Sequence, residues 1–375
     1  MLTKGALVWG LHEEWQVEEI DVGEPRESEV MVELAGSGLC FSDRHIGDGD
    51  FPAAFFPILG GHEGAGVVTK VGPGVRGLAE GDHVVLGFIP SCGQCPPCSS
   101  GRQNLCDLGA HLLGGQSISD GSYRVHARGK PVIPTALLGT FSPYVTVHQA
   151  SAIKIRDDVP LDKAALVGCG VTTGWGSATH VADVRPGETV VVIGVGGVGI
   201  NVVQGAVAAG AKWVIAIDPV AFKREQAKRF GATHTFASLD EALAPVTELT
   251  WGRGAEKAVI AVDRMRGEYI APALALVGKG GTCVVTGMGS AVDLDVKLSL
   301  FELTLLQKTL KGAIFGGANP RVEIPWLLDM YREGKLKLDE LITSTYKLED
   351  INAGYADLAV GRNLRGLVVY TDSDR

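Results

Sequence analysis

Four cysteines, Cys92, Cys95, Cys98 and Cys106, fall within the short run SCGQCPPCSSGRQNLC. Their C-x2-C-x2-C-x7-C spacing lets four thiolates close a tetrahedral site around Zn²⁺ with no open position, as suits a structural ion. An iron–sulfur cluster is the first alternative. Its bacterial form begins with the same C-x2-C-x2-C but continues x3-C-P, whereas here the last interval is seven residues and no proline follows Cys106. Disulfide pairing is the second alternative, and it belongs to oxidising compartments.

Three further candidates lie apart in the chain: Cys40 in GLCFSDRH, His62 with Glu63 in GGHEGAG, and Cys169 in VGCGVTTG. Two thiolates, one imidazole and a water would form an open four-coordinate zinc, the arrangement that leaves a position for substrate. On spacing alone the signal is weak, because a single His and two distant Cys are more often core residues than ligands. A third motif, G-x-G-x-x-G, is formed by Gly194, Gly196 and Gly199, with Gly197 and Val198 between them, directly after the apolar run TVVVI. In a dinucleotide loop the first glycine permits the turn, the second lets the backbone approach a pyrophosphate, and the third lets helix and strand pack. Asp218 closes the next apolar run nineteen residues beyond Gly199, where a carboxylate would hold ribose hydroxyls and repel the extra phosphate of NADP. Lys223 and Arg224 nearby keep NADP open, and a plain turn residue before Pro219 is the other reading of Asp218.

The elements that must carry these residues have two textures. Residues 1–110 alternate short apolar runs with Gly and Pro, as in VMVELAGSG, GAGVVTKVGPGV and GDHVVLGF, which predicts a β-rich, barrel-like domain. From about Arg185 the order becomes strand, Gly-rich turn, helix, strand: TVVVIG, VGGVGINVVQGAVAAGA, KWVIAID, then FKREQAKRF, KAVIAV, IAPALALV and GTCVVTG. That predicts a doubly wound parallel sheet. A helix at IPWLLDMYREGKL and a strand at GLVVY then return to the first domain. The expected organisation is a nucleotide domain at 171–314 inserted in a discontinuous catalytic domain of 1–170 and 315–375.

Bulk properties agree with a two-domain enzyme. The chain has 375 residues, 46% hydrophobic and 21% charged, with 51 glycines spread through it, which excludes a disordered or fibrous chain. A net charge of −9 and the lack of a basic stripe exclude nucleic acid as a partner. No apolar run reaches membrane-span length and the first twenty residues lack a signal-peptide pattern, so a cytoplasmic protein with no membrane partner is expected.

With GHE, the four-cysteine lobe, GCGVTTGWG, GVGGVG with Asp218, KGAIFGG and the late GRNLRG on one chain in this order, the sequence resembles the zinc-containing medium-chain alcohol dehydrogenases from end to end. The resemblance implies an α/β fold, with a GroES-like β-rich catalytic domain plus a Rossmann NAD-binding domain, two Zn²⁺ per chain, and hydride transfer between a primary alcohol or aldehyde and NAD(H). Cys₂His is the general example of an alcohol dehydrogenase zinc set, and position by position Cys40, His62 and Cys169 look like those ligands. Glu63 resembles the carboxylate that approaches the metal during ligand exchange, and Asp43 the partner that orients His62. Ser42 and His45 match the proton relay, which passes the alcohol proton through Ser42, a cofactor ribose hydroxyl and His45. Thr173, Lys223 and Arg365 match cofactor contacts, Arg365 near the pyrophosphate, and Phe88 and Phe141 match the substrate channel. Phe41 and Arg44 depart from the residues relatives carry there.

More narrowly, FIPSCGQCPPC, LLGTFSPY, GGTCVVTGMGS and the ending YTDSDR resemble the actinobacterial nicotinoprotein branch. That implies NAD(H) kept bound through turnover and reoxidised by an external acceptor, N,N-dimethyl-4-nitrosoaniline artificially and mycofactocin naturally, in a homo-oligomer. DLGAHLLG lacks the Arg of glutathione-dependent formaldehyde dehydrogenases. Rival expectations are an ordinary dehydrogenase that exchanges NAD, a zinc-stabilised NAD-binding protein without dehydrogenase activity, and a zinc-free reductase.

Overall fold

The strand Glu29–Gly38 organises the first part of the molecule, described, like all residues Met1–Arg375, by a computed structural model. Its apolar residues Val30, Met31, Val32 and Leu34 are wholly buried, and it pairs antiparallel with Gly64–Val71, Tyr144–His148 and Arg365–Val369. The sheet runs Ala152–Lys154, His83–Leu86, Gly64–Val71, Glu29–Gly38, Arg365–Val369, Ile342–Tyr346, with Tyr144–His148 also against Glu29–Gly38. Beside it, Leu2–Val8, Gln16–Val22, Val125–Ala127, Lys130–Pro134 and Ile58–Leu59 close a five-stranded barrel, which removes free strand edges. The chain divides into two compact units, Met1–Cys169 with Asn319–Arg375, and Gly170–Ala318.

The register of the central pair sets up the candidate ligands. Ser37 lies opposite Gly64, so Cys40, just beyond the end of one strand, and His62 and Glu63, just before the start of the other, emerge at the same end of the sheet.

The second unit is an open sheet of six parallel strands in the order His234–Phe236, Trp213–Ile217, Thr189–Ile193, Ala255–Ile260, Val277–Val285, Thr309–Gly312. This is the strand order of a Rossmann sheet, with Thr189–Ile193 first in the chain and central. All five of its residues are buried, as expected where helices cover both faces of a parallel sheet. The glycine loop then turns sharply. Gly194 takes φ +81°, and a side chain there would sit 2.9 Å from the Ala261 carbonyl oxygen. A side chain at Gly199 would collide with the Gly194 carbonyl, so helix Gly199–Ala208 can start this close to the strand only on glycine. No helix of the chain is long and apolar enough to cross a membrane.

Candidate active site and zinc centres

Cys40, His62, Glu63 and Cys169 converge in the first unit, with one ligand atom of each lying within 4.8 Å of the others, and all four are buried. Cys40 stands at the N-terminus of the short helix Phe41–Gly47, and Cys169 ends the turn Ala165–Gly168. Asp43, wholly buried on that helix, accepts the Gly61 backbone N–H (2.8 Å) through Oδ1, which also lies 3.0 Å from His62 Nδ1. A carboxylate on one ring nitrogen fixes the imidazole with its other nitrogen available for a metal. Ser42 Oγ is 3.6 Å from Cys40 Sγ, and the Phe88 ring meets His62 edge-on with centroids 5.8 Å apart.

The electrostatics suit a divalent cation. The Cys40 thiol is drawn well below its ordinary range, first by its hydrogen bond with Cys169 and then, against burial, by the charges of His62 and Arg365. Cys169 is pushed up in turn by Cys40 and by burial. Two thiols and an imidazole sharing protons in a dry pocket form a set that exchanges them for a metal ion. Burial raises Glu63 even though it pairs with Arg365, while Arg365 overcomes burial through Glu63 and Cys40 and stays firmly charged.

Two features were not legible in the motifs. Arg365, expected near the cofactor pyrophosphate, ion-pairs with Glu63 across 302 residues of sequence, so its guanidinium is directed at the cysteine–histidine cluster. Tyr355 directs its hydroxyl at the Cys40 carbonyl (3.2 Å) and at Asp43 Oδ2 (3.4 Å), supporting the carboxylate that orients His62. Neither pairing leaves a local pattern in sequence.

Phe141 corrects an expectation. Its ring has no exposed surface; it packs edge-on against Trp15 at 5.5 Å and Tyr355 at 6.2 Å in the core. It backs the wall behind the site and does not present a face to a channel. Arg44 reaches Asp48 at 3.4 Å on the surface.

In the lobe, all cysteines are free. Cys92 Sγ lies 3.9 Å from Cys98 Sγ, and Cys95 Sγ 3.8 Å from Cys106 Sγ. A tetrahedron of sulfurs with Zn–S near 2.3 Å has edges of about 3.8 Å, so the donor set fits a structural zinc without rearrangement. Backbone N–H groups of Gln94 (3.5 Å) and Cys95 (3.3 Å) point at Cys92 Sγ and, against burial, bring its pKa down to about 7.

In the second unit, Asp218 accepts Val195 N–H (3.0 Å) from the glycine loop and Val220 N–H (2.9 Å) from the following turn. The turn and cofactor readings of this residue are therefore compatible, since a carboxylate offers about four acceptor sites. Arg224 is engaged with the carbonyls of Asp218 (2.7 Å) and Pro219 (2.9 Å). The space a side chain at Gly196 would fill holds only Lys223 Nζ, 3.8 Å away, and the buried Thr173 hydroxyl has no hydrogen-bond partner. A bare backbone facing a cation, and an unsatisfied hydroxyl, fit an anionic dinucleotide.

Comparison with known proteins agrees with this geometry. Residues 26–157 match the alcohol dehydrogenase GroES-like domain, and residues 197–333 match the zinc-binding dehydrogenase family. The chain is 56% identical to alcohol dehydrogenase B of Mycobacterium tuberculosis over 375 residues, all of both chains. It is 50% identical to the NDMA-dependent alcohol dehydrogenase of Amycolatopsis methanolica over 371 residues, 99% of this chain and 100% of that one. Among solved structures, an alcohol dehydrogenase zinc-binding domain protein from Burkholderia ambifaria superposes with a TM-score of 0.92 at 30% identity, over 99% of each chain. The chain belongs to the zinc-containing medium-chain alcohol dehydrogenases and is an alcohol dehydrogenase.

Proposed function

We propose that the enzyme is a nicotinoprotein that oxidises primary alcohols, or reduces aldehydes, with NAD(H) held through turnover and reoxidised by an external acceptor of the mycofactocin type. The likeness to the NDMA-dependent relative supports this reading, NDMA being N,N-dimethyl-4-nitrosoaniline. The observation that carries the chemistry is the buried convergence of Cys40, His62, Glu63 and Cys169 within 4.8 Å. Cys40, His62 and Cys169 would hold the catalytic zinc, and Cys92, Cys95, Cys98 and Cys106 a second, structural one. Thr173, Gly194, Gly196, Gly197, Val198, Gly199, Asp218, Lys223 and Arg365 would hold the dinucleotide.

Bound zinc supplies the charge that lowers an alcohol's hydroxyl pKa toward neutrality, and the nicotinamide accepts the hydride. Asp43 keeps His62 oriented, and Glu63 stands beside the ligands to assist their exchange. Ser42 Oγ accepts the alcohol proton and His45 passes it outward; three residues apart on one helix, they share a face. Ser42→Ala should therefore slow the hydride step roughly 100-fold with zinc content unchanged. An unaltered single-turnover rate would remove Ser42 from the relay.

The enzyme is further proposed to be a cytoplasmic homo-oligomer. Val292, Leu294, Leu300, Phe301 and Leu305 form a run of exposed large apolar side chains of the kind a partner covers.

The test is to desalt the protein exhaustively, add excess primary alcohol without NAD, and record the near-ultraviolet band of reduced nicotinamide. A rise of about one equivalent per site, reversed by the nitroso dye, is expected. Turnover only after NAD is supplied would make the enzyme an ordinary exchanging dehydrogenase.

A further inference from the structure

In this chain the relay ends on a carboxylate. His45 is 4% exposed, and its Nδ1 lies 2.7 Å from Asp50 Oδ2. The arrangement is built into the backbone. After helix Phe41–Gly47 the chain folds back, and the N–H groups of Asp50 (2.9 Å) and Phe51 (3.4 Å) both donate to the carbonyl of His45 itself. The Phe51 ring then lies 5.2 Å from the imidazole, tilted by 40°. Asp50 is the more accessible partner, its side chain 14% exposed against 5% for that of His45.

A buried imidazole that accepts a proton becomes a cation in a poorly hydrated place, and burial by itself opposes that charge. A carboxylate on one ring nitrogen answers both needs of a relay. It fixes the tautomer with hydrogen on Nδ1, leaving the Nε2 lone pair for the incoming proton, and it stabilises the imidazolium once formed. We propose that Asp50 is a positioning residue of proton exit, holding His45 in the Nδ1–H tautomer and balancing its charge while the alcohol proton resides on Nε2. This rests on the relay reading of Ser42 and His45. The step is a proton transfer only: an Nε2–H bond forms as the donor O–H bond breaks, its electron pair stays on the oxygen, Asp50 remains ionised, and water later takes the proton.

The test joins spectroscopy and kinetics. Nitrogen-15 spectra of the wild-type holoenzyme, assigned with the His45→Ala variant, should show a protonated Nδ1 and an unprotonated Nε2 for the neutral His45 ring. Asp50→Asn should leave KM for the alcohol within about two-fold, lower kcat roughly 10- to 100-fold and raise the solvent deuterium isotope effect, with Asp50→Glu restoring much of the rate. An Nε2–H tautomer in the wild type would overturn the proposal, as would an Asp50→Asn enzyme at full speed while His45→Ala is slow. Should His45→Ala itself run at the wild-type rate, the relay reading falls and takes the role of Asp50 with it.

Discussion

Replacing Cys40 by alanine is expected to lower the zinc content from about two ions per chain to about one, and to cut kcat/KM for alcohol oxidation by at least about 10³-fold. The size follows from what a metal Lewis acid supplies: several kcal/mol of charge stabilisation, at about 1.4 kcal/mol per decade of rate. With Cys40 gone, His62 and Cys169 remain as two donors beside a Glu63 carboxylate already paired with Arg365, too few for a tetrahedral site. Folding should survive, because Asp43 keeps its bonds to Gly61 and His62 and the Glu63–Arg365 pair is untouched. Elemental analysis beside steady-state kinetics and a melting curve checks this. Two retained zincs with ordinary turnover would show that the cluster is core and not a metal site.

Cys106→Ser should do the reverse, costing stability before activity. The lobe has little apolar packing of its own: Leu105 is 46% exposed and Leu113 51%, and its regular structure is limited to Pro96–Ser99 and the two 3₁₀ turns Gln103–Leu105 and Asp107–His111. Its order thus depends on the ion, whose binding energy becomes folding energy. Losing several kcal/mol from a domain of 150–250 residues, at about 2–4 °C per kcal/mol, predicts a melting point lower by roughly 10 °C. Protease cleavage within 92–113 should appear at temperatures the parent withstands. An unchanged melting curve together with one missing zinc would mean that the lobe holds itself together without metal.

How far the sequence reached depended on the range of each interaction. The glycine loop was legible because its determinants are local: an apolar strand, three glycines at set spacing and a helix. The lobe was legible for the same reason, four thiols within fifteen residues. Cys40, His62 and Cys169 were ambiguous until the resemblance grouped them, since only the antiparallel register of Glu29–Gly38 against Gly64–Val71 brings the first two to one end of the sheet. Tyr355 and the partner of Arg365 were illegible, because contacts across 312 and 302 residues leave no periodicity to detect. Phe141 was misjudged for a related reason: a position names a residue but not which face of its ring the neighbours cover, and Trp15 and Tyr355 cover it. Asp50 lies only five residues from His45, yet its proposed role depends on a chain reversal that Gly49, at φ +82°, permits but does not announce.

The discontinuity of the first unit also orders events during biosynthesis. Gly170–Ala318 is complete in the nascent chain once residue 318 has left the ribosome, whereas the strand Arg365–Val369, which pairs with Glu29–Gly38, is made later. Until this strand and the preceding helix Ile351–Ala359 arrive, Glu63 lacks the Arg365 guanidinium and Asp43 the Tyr355 hydroxyl. The second unit can therefore mature during translation, while the cluster of Cys40, His62 and Cys169 reaches its final form only after the segment 351–369 has emerged.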